Sequence, residues 1–246
     1  MTTTTRRILA VTALAAALAL VAGGGYGLWY LFLRPAGPAA VASGSQAPVA
    51  ITGAAAQPLA SGGLPGTWDV DTSIGSFSDF SDSWVGYRIQ ETLASIGANT
   101  AVGRTPNVSG GLTITGEQVT AATITADLTA LQSDDARRDS QLSHNGLETS
   151  SFPTATFALT SPIDLGSDPT GGQEIDVTAQ GTLELHGVTK AVSVQLKARL
   201  VGSVIEVTGS LPITLADYGI TPPTSFIALS VDGTGTLELQ LLLTHA

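Results

Sequence analysis

From Thr67 onward, apolar and polar residues alternate with a period of two. Ile175, Val177, Ala179, Gly181, Leu183 and Leu185 fall on one face, and Asp176, Thr178, Gln180, Thr182, Glu184 and His186 on the other. Val192, Val194 and Leu196 alternate with Ser193, Gln195 and Lys197, and Leu237, Leu239, Leu241 and Leu243 with Glu238, Gln240 and Leu242. Shorter runs repeat the pattern at Leu112–Ile114, Ile124–Leu128, Phe157–Leu159 and Ile205–Val207. A period of two places one side of each run on a buried face, which is the signature of half-buried strands. Gly116, His186–Gly187, Gly202–Ser203 and Asp232–Gly233 supply turn signals between runs, and short turns join antiparallel neighbours. About eight such strands form either a closed barrel or a two-sheet sandwich. One stretch, Ser133 to Leu147, reads as a short helix with Ser133, Asp134 or Asp135 as its cap.

Ahead of the strands the pattern changes twice. Ile8 to Leu33 carries no charge. As a helix this run spans about 39 Å, more than the roughly 30 Å hydrocarbon core of a bilayer. Arg6 and Arg7 precede it, Arg34 closes it, and Tyr26, Trp29, Tyr30 and Phe32 gather at its far end like an interfacial belt. Residues 1–34 are therefore expected to be a cytoplasmic tip and a single-pass transmembrane helix, with the rest of the chain outside the cytoplasm. A cleaved signal peptide ending near Gly23–Gly25 is the competing reading, with the same consequence for location. Residues 35–66 are uncharged and rich in Ala, Pro and Gly, which predicts a flexible linker before a domain over 67–246.

Composition narrows the chemistry. The absence of cysteine excludes disulfides and thiolate sites. Seven basic residues and all 20 acidic ones lie beyond position 66, leaving that portion at a formal −13. Such a surface repels phosphate backbones, so nucleic acid is not an expected partner.

No catalytic set emerges. The chain lacks a Gly-x-Ser-x-Gly elbow and a phosphate-cradling Gly-Lys-Ser/Thr loop. His144 and His245 have no neighbours at metal-ligand spacing, and His186, next to Gly187, reads as a turn residue. The chain is thus expected to be neither an enzyme nor a metal or cofactor protein. Arg137, Arg138 and Asp139 form the densest basic spot of the domain. Residue type favours an ion pair and cap that pin the short helix over Leu142. The other reading is a contact between Arg137 or Arg138 and an anionic headgroup at a cavity mouth. The Asp217–Ile220 segment, with Pro222, Pro223 and Phe226, interrupts the strands as an aromatic-anchored loop or as a fold over one barrel end. In the latter case Tyr218 or Phe226 would lie near the cavity.

Arg138-Asp139 with Leu142, Glu148 and Phe152-Pro153-Thr154-Ala155-Thr156-Phe157 resembles the middle signature of the YceI-like family. Gly181 to Lys190 resembles its most specific signature, Asp217-Tyr218-Gly219-Ile220 its third, and Trp68-Asp69-Val70-Asp71 its opening strand. The resemblance implies an eight-stranded, antiparallel, lipocalin-like barrel around an apolar cavity. It also implies, as ligand, a long isoprenoid such as a polyprenyl phosphate or a quinone tail. Ser73 to Val108 departs from the family pattern: Gly86-Tyr87-Arg88-Ile89 and Gly103-Arg104-Thr105 are inserted near the expected mouth.

The expected fold is thus all-β with one helical excursion, behind an N-terminal transmembrane helix. The expected function is a membrane-tethered protein holding an apolar, isoprenoid lipid. The alternative is a solid barrel that displays its loops to a protein partner, whose nature the sequence does not give. Apolarity alone selects Leu112, Ile114, Phe157, Leu183, Leu185, Val192 and Val194 as cavity-lining, with Tyr218 and Phe226 beside them.

Overall fold

The computed structural model describes residues 63–246 except 95–96, 167–171 and 224–227, together with Pro38 and Ala40. The expected transmembrane helix lies outside the described residues. Among those described, no helix is long and apolar enough to cross a membrane.

Twelve strands are formed among the described residues: β1 (Gly66–Val70), β2 (Trp84–Leu93), β3 (Gly97–Thr105), β4 (Val108–Thr115), β5 (Gln118–Asp127), β6 (Gln132–Ser133), β7 (Thr154–Leu159), β8 (Ile163–Asp164), β9 (Ile175–Leu185), β10 (Val188–Val201), β11 (Val204–Thr214) and β12 (Ala228–His245). Eight of them close a ring in the order β1-β4-β5-β7-β9-β10-β11-β12, with β12 returning to β1 through Trp68↔His245 and Val70↔Leu243. Every pairing in the ring is antiparallel. Closure removes the sheet edges that would otherwise invite pairing with another chain.

β1 is too short to cover the whole edge of β12. The remaining length of that edge pairs with β2, from Gln240↔Trp84 to Ala228↔Leu93, and β2 pairs in turn with β3. The segments that depart from the family pattern, Gly86–Ile89 and Gly103–Thr105, are these two strands. β3 is joined at Gly103 and Arg104 to the two-residue β6, just before the short helix Ala136–Gln141. That helix is capped by Asp135, whose carboxylate accepts from the Arg137 N–H at 2.9 Å, and it runs into a wider turn over Leu142–Gly146.

Three local expectations change. Asp232–Gly233 is not a turn between strands. β11 keeps its pairing through Thr214↔Thr234, while β2 slips register between Val231 and Gly235, so these residues form a bulge within β12. The stretch 63–66, expected as linker, belongs to the barrel: Leu64 is buried, and its carbonyl accepts from Trp68 Nε1 at 2.9 Å. The third concerns the outer face of β12, where Glu238, Gln240 and Leu242 are buried although their parity points them away from the lumen. The segment Asp71–Ser83 packs across Gln240 and Leu242, while Glu238 pairs with Arg88 at 3.0 Å and with Arg104 at 3.8 Å. Gln240 Nε2 donates to the carbonyls of Phe80 (3.0 Å) and Asp82 (2.8 Å), and the Leu242 N–H donates to Ser83 Oγ at 2.9 Å.

The inward faces pack into two apolar clusters at opposite ends of the barrel. One holds Leu64, Trp68, Ile114, Leu200, Ile205 and Leu243 near the Gly202–Ser203 turn. The other holds Leu128, Leu183, Leu185, Tyr218 and Ile220 near the His186–Gly187 turn.

Candidate functional site

The barrel is hollow, and residues of both clusters line the space. A cavity of about 360 Å³ runs through its interior, lined almost wholly by apolar side chains. That volume lies within the range of pockets that hold small organic ligands. The wall arises directly from strand parity: on β9, Ile175, Val177, Ala179, Leu183 and Leu185 all line it, and on β10 Val194, Leu196 and Ala198 do so.

Of the residues selected from the sequence, Leu112, Ile114, Phe157, Leu183, Leu185 and Val194 line this cavity, as do Arg137 and Arg138. Val192 does not, although it shares its face of β10 with Val194; it packs instead against the cluster containing Leu185 and Tyr218. Nor does Tyr218, which is itself part of that cluster and only 3% exposed. The physical reason is common to both. Both pack into the side-chain cluster of Leu128, Leu183, Leu185 and Ile220. Phe226 lies outside the described residues.

The three signatures noted in the sequence meet at that same end. His186 adopts a left-handed backbone conformation (φ 52°) at the β9–β10 turn. Its ring lies 4.3 Å from Phe152 between centroids, and its Nδ1 bonds to the Tyr218 carbonyl at 3.1 Å. A carbonyl only accepts, so Nδ1 carries the proton. Lys190 adds an exposed ion pair to Asp217 at 3.0 Å. These residues tie β7, β9, β10 and the Leu215–Tyr218 turn together, and they do so away from the cavity wall.

Sequence reasoning missed the part of the wall that β2 supplies. Tyr87, Ile89, Glu91 and Leu93 of β2 line the cavity, together with residues of the short helix and Pro222–Pro223. The Val85-Tyr87-Ile89-Glu91-Leu93 alternation was there to be read, but two of its members are polar, so apolarity alone passes over them.

Glu91, in a nearly buried position, accepts from Arg138 Nη2 at 2.6 Å and from Asn99 Nδ2 at 2.6 Å. The same guanidinium pairs with Asp134 through Nη1. Burial acts to lower the Arg138 pKa, but Glu91 and Asp134 outweigh it and hold the group above the usual arginine range. Arg137 is bound in a fork to Asp135, with both contacts at 3.3 Å. The Asp139 carboxylate accepts from the Ser133 N–H at 3.0 Å. The ion-pair-and-cap expectation for this cluster therefore describes its geometry, and the cluster also forms the polar side of the cavity. Among the described residues, no group of three or more His, Asp or Glu side chains is placed to hold a metal ion.

Comparison with known proteins agrees with this architecture. A polyisoprenoid binding domain from Saccharophagus degradans, implicated in plant cell wall breakdown, superposes with a TM-score of 0.54 at 20% identity, over 73% of this chain and 98% of its own. BcnA of Burkholderia cenocepacia (TM-score 0.49, 16% identity, 64% of this chain and 95% of its own) and a Campylobacter jejuni YceI protein (0.48, 15%, 58% and 84%) are more distant. No curated protein matches the sequence significantly. The YceI-like domain profile matches residues 68–243, from within β1 to within β12 of the closed ring, and the chain belongs to the YceI-like family.

Proposed function

We propose that this protein is a binding protein whose barrel holds one elongated apolar lipid, of isoprenoid type, in its lumen. The observation that carries this reading is the apolar cavity of about 360 Å³ enclosed by β-strands. A slender hydrocarbon chain that leaves water for such a lumen gains roughly 0.8 kcal/mol per buried CH₂ group, so a few isoprene units suffice for tight binding. The likeness to a polyisoprenoid binding domain adds to this, at the level of the fold. Binding rather than catalysis is part of the reading, because the charged groups at the wall are committed to one another in ion pairs.

The uncharged run Ile8–Leu33, the paired arginines before it and the aromatic cluster at its end support a single-pass anchor with the barrel outside the cytoplasm. A tethered barrel would then take up its lipid next to the membrane that supplies it.

Native mass spectrometry of the full chain, extracted in mild detergent, tests the binding role. The expected result is a non-covalent adduct released as a linear apolar lipid on solvent extraction. Protein recovered empty, and still empty after incubation with isoprenoid lipids, would overturn it in favour of a scaffold that presents loops to a protein.

A further inference from the structure

A tether alone does not fix how the barrel sits relative to its membrane. A free coil over residues 35–62 would span on the order of 30 Å and let any side of the barrel turn to the bilayer. One contact removes that freedom. Arg88 Nη2 of β2 donates to the Pro38 carbonyl at 2.7 Å. The same guanidinium donates through Nε to Glu238 Oε1 at 3.0 Å, on the outer face of β12. Glu238 is buried, so the barrel itself holds the guanidinium in place for Pro38. A hydrogen bond from such a charged donor is roughly twice as strong as a neutral one.

Pro38 stands four residues beyond Arg34, which closes the uncharged run Ile8–Leu33. Four residues, fully extended, reach at most about 14 Å. A membrane helix ending at Arg34 therefore brings β2 to within about that distance of the bilayer surface. The side of the barrel brought there suits the place. From Ile89 to Gly103 the sole ionisable residue is Glu91, and it is buried against Arg138. Among the described residues of this hairpin, those exposed are Gln90, Thr92, Ala94 and Ala98, all uncharged. Across the ring, by contrast, β9 exposes Asp176 and Glu184. An acidic domain is repelled by an anionic lipid surface, and least on the side that carries no charge.

We infer that the barrel is docked on its own bilayer: Arg88 clamps the chain just past the membrane anchor, and the β2–β3 hairpin faces the lipid surface. Residues 41–62 then set no distance from the membrane. This rests on the single-pass anchor reading above and gives that anchor a geometry. β2 also supplies Ile89 and Leu93 to the cavity wall, so docking turns a cavity-lining strand toward the bilayer.

Because the chain has no cysteine, one introduced thiol carries the only label. The full chain, reconstituted in vesicles of phosphatidylcholine and phosphatidylglycerol, takes a fluorophore at Ala98→Cys on β3 or at Gln180→Cys on β9. Lipid bearing a nitroxide on its headgroup then quenches it. Quenching at the β3 site is expected to exceed that at the β9 site at least threefold. A Gly/Ser insertion of about twelve residues between Ala36 and Gly37, on the membrane side of the clamp, adds about 20 Å of reach. It should cut quenching at the β3 site at least threefold. The same insertion between Gly53 and Ala54, on the barrel side of the clamp, should leave quenching unchanged. Both insertions precede β1, so the test needs no substitution in the barrel core. Equal quenching at the two sites, or equal effects of the two insertions, overturns the docking and leaves the anchor intact. Release of the chain from the vesicles by alkaline carbonate overturns both.

Discussion

The guanidinium of Arg104 stacks on the indole of Trp84, its central carbon 3.7 Å from the ring centroid. Phe80 lies 4.4 Å from the same carbon, and Glu238 lies 3.8 Å from Nη2. All of this happens on the outside of the barrel, under the Asp71–Ser83 segment. Burial lowers the Arg104 pKa to about 10, with Glu238 opposing the shift, so the group remains charged at neutral pH. Phe80 takes up a left-handed backbone (φ 58°), an unfavourable state for an aromatic residue. The ring contact with Arg104, and the Phe80 carbonyl's bonds from Trp84 Nε1 and Gln240 Nε2, offset that cost. Lysine keeps the charge but loses the planar stacking, so Arg104→Lys is expected to lower unfolding free energy by about 2 kcal/mol in urea titrations. A loss below a few tenths would mean that the stacking contributes little.

Asp82 makes the same segment sensitive to pH. Desolvation raises its pKa from 3.8 to about 6, and its Oδ1 is buried without a partner. A carboxyl whose pKa is higher in the folded state favours folding only while protonated. Its contribution is complete below about pH 4 and is lost as pH rises through 6. Asp82→Asn is therefore expected to be more stable than the unmodified protein at pH 7.5, by about 2 kcal/mol, with the difference vanishing near pH 4. Unfolding curves of both proteins across this range check the sign, and an advantage that grows on acidification would contradict it.

The pair Glu91–Arg138 joins β2 to the short helix with both side chains largely out of water. Removing one partner strands the other. Arg138→Met alone should cost about 3 kcal/mol, and adding Glu91→Gln should recover part of that loss. A double-mutant cycle by chemical denaturation measures the coupling, and additive losses would show that the pair acts as two independent charges.

Ala179 is a small side chain on the cavity wall. Ala179→Leu places three further carbons in the lumen. Lipid occupancy by native mass spectrometry should fall at least tenfold, while the empty protein keeps its melting temperature, because the added atoms occupy existing space. Unchanged occupancy would place the ligand elsewhere.

Gly181 faces Phe157 across the β7–β9 pairing so closely that a Cβ would come within 2.4 Å of the ring. Gly181→Ala should therefore push Phe157 into the lumen, lowering stability by about 1–3 kcal/mol and weakening ligand uptake together. Thermal melts and uptake measured on the same sample check whether the two effects are coupled.

The alternation from Leu112 to Leu243 determined the main strands of that span, their antiparallel pairing and most of the apolar wall, because a period of two is a local property that each run carries by itself. The family signatures added closure into an eight-stranded barrel, which alternation alone left open against a sandwich. What required the tertiary structure was which inward residues face empty space and which are covered. Val192 and Val194 share a face of β10, yet only Val194 reaches the cavity, because Val192 packs into the side-chain cluster that holds Leu185 and Tyr218. Likewise Glu238 and Gln240 read as solvent-facing but are buried, Glu238 against Arg88 and Arg104 and Gln240 under Asp71–Ser83. Tyr87 and Glu91 gained their place on the wall only through the pairing of β2 with β12. Parity fixes the side of a strand on which a residue lies; which segment, remote in sequence, covers that side is settled by packing, and packing is not a local property of the chain.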